Sequence, residues 1–396
     1  MNTPPCLPEI FRAYDVRGII GETLHIEHAE LIGKAFGSFV GKAHSRPKIC
    51  VAFDGRLTSP AIEELLVKGL KSTGAEVIRV GIGPTPLLYY AVHHLNAHAG
   101  IMVTGSHNPP SHNGFKFMFG KLALHSDDIM KLYHIIQSQD YLEGSGSVHF
   151  EDITDAYLET LLKAYDTKQK PLTIAWDSGN GASAEILNLV VDKLPGKHIV
   201  INNTIDGTFP NHHPDPSEKE NMEQLIECVL KHKCDLGIAF DGDGDRVGAV
   251  DNKGNMISGD QLMLLYAADV LAEHPGSTII ADVKASKILY DEIEKLGGTP
   301  LMWKTGHSLI KEKMAEIGAP FAGEMSGHVF FADHYGFDDA LYAALRLINI
   351  IAACNTNFSE KMATYPTTFN TPEMRIEVEE SRKFGIIDAV KNQLAS

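Results

Sequence analysis

Short apolar, β-branched runs alternate with amphipathic helical segments through most of this chain, and the alternation restarts twice. The first set has strand-like residues at 48–53 (KICVAF), 76–80 and 100–103, with helical periodicity at 60–71 (PAIEELLVKGLK) and 86–95. The second opens at 172–176 (LTIAW), where the Gly-rich turn DSGNGAS feeds a helix, and includes 235–240 (DLGIAF). The third opens at 278–281 (TIIA), followed by a helix from Ser286, a strand near Leu301 and another at 320–322. Such alternation predicts βαβ units. The fold class is therefore α/β: three consecutive α/β domains with mixed, mostly parallel sheets around a central cleft. Loop-like EGSGS (143–147) and NKGN (252–255) mark the boundaries, giving domains at 1–150, 151–252 and 253–367. The three units could be a divergent triplication, which the residues leave open.

After Tyr365-Pro366 the character changes. Residues 374–379 (MRIEVE) alternate like an exposed antiparallel strand, and 384–394 read as a helix. Residues 368–396, about 30 in all, are too few for a core of their own. They are either a tail docked on the third domain or a truncated C-terminal α+β fragment of a fourth.

Net charge is −16, from 35 basic and 51 acidic side chains. That argues against nucleic acid and anionic membrane surfaces as partners, since both need a basic patch. A local basic pocket for a small phosphate remains compatible. Five scattered cysteines with no CxxC pair fit a reducing cytoplasm better than a disulfide framework or zinc site. The N-terminus reads as no signal peptide, and no apolar run approaches the ~20 residues of a membrane span.

Three loops carry the chemistry, each after a predicted strand. In Thr104-Gly105-Ser106-His107-Asn108-Pro109-Pro110, Gly105 permits unusual backbone angles and the prolines stiffen the exit. Ser106 is left presented at the tip as a candidate nucleophile. In Asp241-Gly242-Asp243-Gly244-Asp245-Arg246, glycines let alternate carboxylates converge, and an all-oxygen set suits a hard cation such as Mg²⁺. An EF-hand does not fit, because Arg246 stands where it needs Gly and Asn252 where it needs Glu. In Gly323-Glu324-Met325-Ser326-Gly327-His328, Glu324 and Ser326 would point the same way from an extended loop and grip sugar hydroxyls. Further polar candidates are Arg12 and Arg17 (FRAYDVRG), Lys116 (NGFK), Lys284 (DVKAS), and Lys304, His307 and Ser308 (KTGHS). The adjacent His212 and His213 read as structural.

Ligands of open parallel sheets bind beyond the strands' carboxyl ends. Nucleophile, metal and hydroxyl-gripping loops meeting there describe phosphoryl transfer to or from a polyol. A phosphate on Ser106 (about −2) and three aspartates exceed the charge of one Mg²⁺, so Arg246, Lys116 and Arg17 would offset the surplus. A dinucleotide-binding oxidoreductase fits poorly, since GNGAS does not complete GxGxxG.

TGSHNP, DGDGDR and GEMSGH, in this order, resemble the α-D-phosphohexomutase family, as do FRAYDVRG, NGFK and KTGHS. The resemblance runs from Arg12 to His328, over three of the family's four domains. Met325 and Gly105 favour the bacterial branch that works on glucose and mannose phosphates. The resemblance implies reversible transfer between the 1- and 6-positions of the hexose through a phosphorylated Ser106 and a hexose 1,6-bisphosphate, which is intermediate and activator. It implies Mg²⁺ on Asp241, Asp243, Asp245 and the phosphorylated Ser106. His107, Lys116 and Arg17 would serve proton transfer and charge stabilisation. Arg12, Arg246, Lys284, Lys304, His307, Ser308, Glu324, Ser326 and His328 would bind sugar or phosphate. Partners would be small hexose phosphates, with the enzyme a cytoplasmic monomer or homodimer. The departure is C-terminal: no Arg/Ser/Thr-rich loop for the non-reacting phosphate follows Arg375, so the chain is expected to isomerise poorly. A phosphoserine-dependent sugar phosphatase and a non-catalytic sugar-phosphate-binding fragment are the alternatives.

Overall fold

In a computed structural model of the chain, residues 5–366, 376, 378 and 382–394 are described. They divide into a unit spanning Met1–Tyr365 and a second spanning Pro366–Ser396. The first unit holds three mixed sheets. The seven-stranded sheet runs in the order Val16–Ile19, His112–Phe119, Ala99–Val103, Lys48–Phe53, Glu76–Ile82, Ser147–Phe150, with Leu122–Ala123 also paired to His112–Phe119. The five-stranded sheet runs Met256–Ile257, Val247–Asp251, Leu236–Phe240, Leu172–Asp177, Gly196–Ile201, and the four-stranded sheet Thr299–Trp303, Thr278–Asp282, Phe321–Gly323, Val329–Phe331.

One local arrangement recurs in all three. A parallel strand is followed by a loop and an antiparallel return: Ala99–Val103 to His112–Phe119, Leu236–Phe240 to Val247–Asp251, and Phe321–Gly323 to Val329–Phe331. Each chemistry-bearing loop is the connection of such a hairpin. The sheets are mixed for this reason, because a direct return without a crossover helix can only pair antiparallel.

The inner strands are buried on both faces, while edge strands such as Ser147–Phe150 are exposed, and the two faces lead to different cores. Ile49, Val51, Val77 and Ile101 pack with helices His28–Gly41 and Ser59–Ser72, while Cys50, Ala52, Ile78 and Met102 pack with helix Thr85–His94. That second cluster continues without a break into Ile174, Trp176, Ile238 and Phe240 of the second sheet and Ile279, Ala281, Phe321 and Phe331 of the third. The opposite faces have private cores, Ala175, Ala239 and Val250 with helix Glu223–His232, and Ile280, Ala322 and Phe330 with helix His307–Ile317. Each sheet thus turns one face into a shared core, and this brings the three loops to one place.

In the second unit the expected helix is present as Lys383–Leu394. The strand expected at 374–379 lies, apart from Ile376 and Val378, outside the described residues. All five cysteines are free. No helix among the described residues is long and apolar enough to cross a membrane.

Candidate active site

The loop after Ala99–Val103 places Ser106 against the metal loop. Its Oγ lies 3.2 Å from His107 Nδ1 and donates over 3.5 Å to Asp241 Oδ2. Two expectations are corrected here. Ser106 is 2 % exposed, because the second domain's loop covers the tip. The left-handed residue is Ser106 itself, with φ +51°, and not Gly105. Gly105 is required for another reason: a Cβ there would lie 2.5 Å from the Arg56 guanidinium.

Asp241, Asp243 and Asp245 are fully buried, with ligand oxygens within 4.8 Å of one another. Each carboxylate spends one oxygen on the protein. Asp241 Oδ1 accepts from the backbone N–H of Asp245 and Arg246, both at 3.1 Å. Asp243 Oδ2 accepts from Lys116 Nζ at 2.7 Å and Thr85 Oγ1 at 2.5 Å. Asp245 Oδ2 accepts from Lys116 Nζ at 2.5 Å. The other oxygens of Asp243 and Asp245 are buried without a hydrogen-bond partner, and that of Asp241 has only the long contact to Ser106. Burial and repulsion from its two neighbours drive the Asp241 carboxyl well above the usual range. An all-oxygen set with buried, unsatisfied acceptors fits a hard divalent cation.

Lys116 lies in the middle of the return strand His112–Phe119, opposite Met102. Burial opposes its charge, yet Asp243 and Asp245 more than offset this and hold the ammonium protonated. His107 goes the other way: burial, then the Arg246 charge, depress it far below the imidazole range, so it is neutral. Arg17 pairs with Asp15, and its Nε is buried without a partner.

The third loop closes on the second. Arg246 Nε lies 3.0 Å from His328 Nε2, and the Val247 N–H donates to the Gly327 carbonyl at 3.1 Å. The Glu324–Gly327 segment is a tight turn (Gly327 N–H to Glu324 carbonyl, 3.1 Å), not the extended loop expected. Glu324 is buried and accepts from the Gly306 N–H at 2.6 Å, which ties it to the KTGHS loop. Desolvation raises its pKa. Ser326 is half-buried and lines a cavity of about 200 Å³ with Ser217 and Ser258. His307 begins helix His307–Ile317 and stacks on His328, while Ser308 is buried. Tyr14, from the FRAYD segment, donates to the Thr305 carbonyl at 3.0 Å. Arg12, Lys284 and Lys304 are exposed. His212 lies 2.9 Å from Asp177, in keeping with a structural role.

Several residues at the site carry no sequence signal of their own. Asp338 accepts from Lys311 at 2.7 Å and lies 2.8 Å from His328 Nδ1. Asp215 shares the electrostatic field of Arg246 and His107. Thr85 and Thr104 reach Asp243, and Arg56 lies under the serine loop. Arg56 could have been found, since its Asp-Gly-Arg follows the strand KICVAF just as the three loops follow theirs.

Residues 8–143, 155–254 and 258–369 match the family models for α/β/α domains I, II and III of phosphoglucomutase/phosphomannomutase. The phosphomannomutase/phosphoglucomutase of Pseudomonas aeruginosa is 45 % identical over 98 % of the chain and 84 % of its own length. A phosphoglucomutase of Neisseria gonorrhoeae is 41 % identical over 94 % of the chain and 81 % of its own. The crystal structure of a Burkholderia thailandensis family protein superposes with a TM-score of 0.88 at 42 % identity, covering 92 % of this chain and 81 % of that one. The chain belongs to the phosphoglucomutase/phosphomannomutase family, the α-D-phosphohexomutases, and is an enzyme of that class.

Proposed function

We propose that this enzyme moves a phosphoryl group between the 1- and 6-positions of glucose and mannose phosphates, using Ser106 as phosphoryl carrier and a hexose 1,6-bisphosphate as intermediate. The observation that carries this reading is Ser106 Oγ facing Asp241 while Lys116 bridges Asp243 and Asp245. In each half-reaction the bond from phosphorus to one oxygen breaks as the bond to the other forms. The attacking sugar hydroxyl gives up its proton, and the departing Ser106 oxygen regains one. His107, neutral and 3.2 Å from Oγ, is placed to exchange that proton. Lys116, Arg17 and Arg246 would stabilise charge on the transferring group.

Asp241, Asp243 and Asp245, with the phosphorylated Ser106, would hold Mg²⁺, which supplies Lewis-acid stabilisation of phosphoryl charge. Glu324 and Ser326 would bind sugar hydroxyls, and Arg12, Lys284, Lys304, His307, Ser308 and His328 sugar or phosphate. On this reading residues 1–150 form the phosphoserine domain, 151–252 the metal domain, 253–367 the sugar domain, and 368–396 belong to a phosphate-binding fourth. Intact mass with an NMR time course tests it. The protein should carry one extra phosphoryl group, lost in Ser106→Ala, and convert glucose 1-phosphate to glucose 6-phosphate with catalytic bisphosphate. Stoichiometric free phosphate without isomer would overturn it.

A further inference from the structure

We propose that Arg56 is a positioning residue for the phosphoryl carrier, its guanidinium fixing the 104–112 loop in the conformation that aims Ser106 at the metal loop. This rests on the reading of Ser106 as that carrier.

Arg56 follows strand Lys48–Phe53, which lies parallel to Ala99–Val103 with Phe53 opposite Val103. The two strand ends are therefore neighbours, and Arg56 is 1 % exposed beneath the serine loop. A guanidinium has five N–H donors in a planar fork. All five are used. Nε donates to Asp54 Oδ2 at 3.1 Å, Nη1 to the carbonyls of Pro109 (2.6 Å) and His112 (2.9 Å), and Nη2 to those of Ser106 (2.7 Å) and Asn108 (2.6 Å). Four of the five go to backbone acceptors of one loop.

Asp54 takes the loop's donors. It accepts from Thr104 Oγ1 at 2.8 Å and from the Gly105 N–H at 3.2 Å, and Thr104 Oγ1 in turn accepts the Ser106 N–H at 2.8 Å. The Asp54–Arg56 pair thus holds the loop by both its N–H and its C=O groups. Such a grip is needed because Ser106 sits in the left-handed region, which is unfavourable for a residue that carries a Cβ. The guanidinium lies flush with the backbone at Gly105, and the ring of Phe209 covers it from the second domain at 5.2 Å. Arg56 touches the carbonyl of Ser106 and not its hydroxyl, so it acts through the loop. The sugar-facing residues Glu324, Ser326 and His328 are on another domain and have no contact with it among the hydrogen bonds and ion pairs described.

A shift of about 1 Å in a reacting group is enough to cost on the order of 10²-fold in rate. Lysine has three tetrahedral donors and does not match four carbonyls set for a planar fork. Steady-state kinetics of Arg56→Lys should therefore show kcat down by about 10²-fold with KM for glucose 1-phosphate within about twofold of wild type. Arg56→Ala should regain about tenfold in kcat with millimolar guanidinium and nothing with methylammonium. Should Arg56→Ala not fold, Arg56→Lys carries the test alone, with amide exchange at residues 104–112 expected to quicken. A kcat within threefold of wild type in folded Arg56→Lys overturns the proposal. So does a loss in which KM rises as far as kcat falls, or Arg56→Ala activity indifferent to guanidinium. Intact mass of the wild type keeps the two readings apart: an unphosphorylated Ser106 in a protein that turns over defeats the carrier reading, whatever Arg56 does.

Discussion

His328 is held between two fixed partners, its Nδ1 2.8 Å from the Asp338 carboxylate and its Nε2 3.0 Å from Arg246 Nε. Arg246 can only donate, so Nε2 must accept and Nδ1 carries the ring proton, beside the Asp338 carboxylate but without a hydrogen bond to it. Asp338 is itself anchored by Lys311, and all three side chains are buried. The Arg246 bond therefore selects one tautomer of the ring where the second and third domains' loops meet.

Replacing Asp338 with Asn removes the negative charge beside the His328 ring and leaves the Lys311 ammonium buried without its counter-charge. Breaking a buried pair from one side costs about 3–5 kcal/mol. Urea unfolding of Asp338→Asn should show a loss of that order, and kcat should fall by at least tenfold. Asp338→Asn combined with Lys311→Met should be more stable than the single Asp338→Asn variant. Additive losses in that cycle would mean the two groups do not act as a pair.

The metal reading has a readout apart from catalysis. A ligand that binds only the folded state stabilises it by about 2.7 kcal/mol at one hundred times its Kd. Mg²⁺ should raise the melting temperature of the wild type, and Asp243→Asn or Asp245→Asn should abolish most of that rise. Chelation should stop turnover and added Mg²⁺ restore it. An unchanged Mg²⁺-dependent rise in both variants would move the cation away from this loop.

How much of this was legible in the sequence depends on how local the signal is. The three loops could be read because an apolar run followed by glycines and reactive side chains is a short-range pattern. Ser106, Asp241, Asp243 and Asp245 accordingly meet as the pattern suggested. The return strands were harder. No strand is read at 112–119 from the residues alone, and only pairing with Ala99–Val103 makes them one and carries Lys116 to Asp243. Asp338 and Lys311 are 27 residues apart and belong to no repeat, so tertiary packing alone joins them. Gly105 shows the limit of reasoning by residue type: its lack of a side chain makes room for Arg56, a contact across 49 positions that no local rule contains.

Acid should weaken the fold in part through His93. Burial, with Lys121 and His334 nearby, depresses this imidazole to about 4, and its Nε2 has no hydrogen-bond partner. The unfolded chain, with an imidazole near ~6.5, takes up this proton more readily than the folded one. Stability therefore rises with pH across this window. The contribution is fully present above ~6.5 and is lost progressively as pH falls toward 4. Chemical unfolding of wild type and His93→Gln from about pH 7.5, above the ordinary imidazole value, down to pH 4 should give curves that converge as pH falls. Parallel curves would show that His93 does not titrate differently on folding.

Gly242 should be intolerant of any side chain, for a reason distinct from backbone freedom. A Cβ at this position would lie 2.5 Å from the Ser106 carbonyl oxygen, the same oxygen that accepts from Arg56 Nη2. That distance is well inside contact, and neither partner is free to yield: the carbonyl is held by Arg56, and the 241–246 loop by the N–H groups of Asp245 and Arg246 on Asp241. Gly242→Ala must therefore push the metal loop and the serine loop apart. Overpacking of this kind costs about 1–3 kcal/mol in stability. The separation should also weaken Mg²⁺ binding and lower kcat together, with KM for the sugar phosphate nearly unchanged, because the Glu324–Gly327 turn proposed to bind the sugar is elsewhere. Calorimetric Mg²⁺ titration beside steady-state kinetics checks this. Normal Mg²⁺ affinity and kcat in a folded Gly242→Ala protein would show that the close approach of the two loops is not what the reaction depends on.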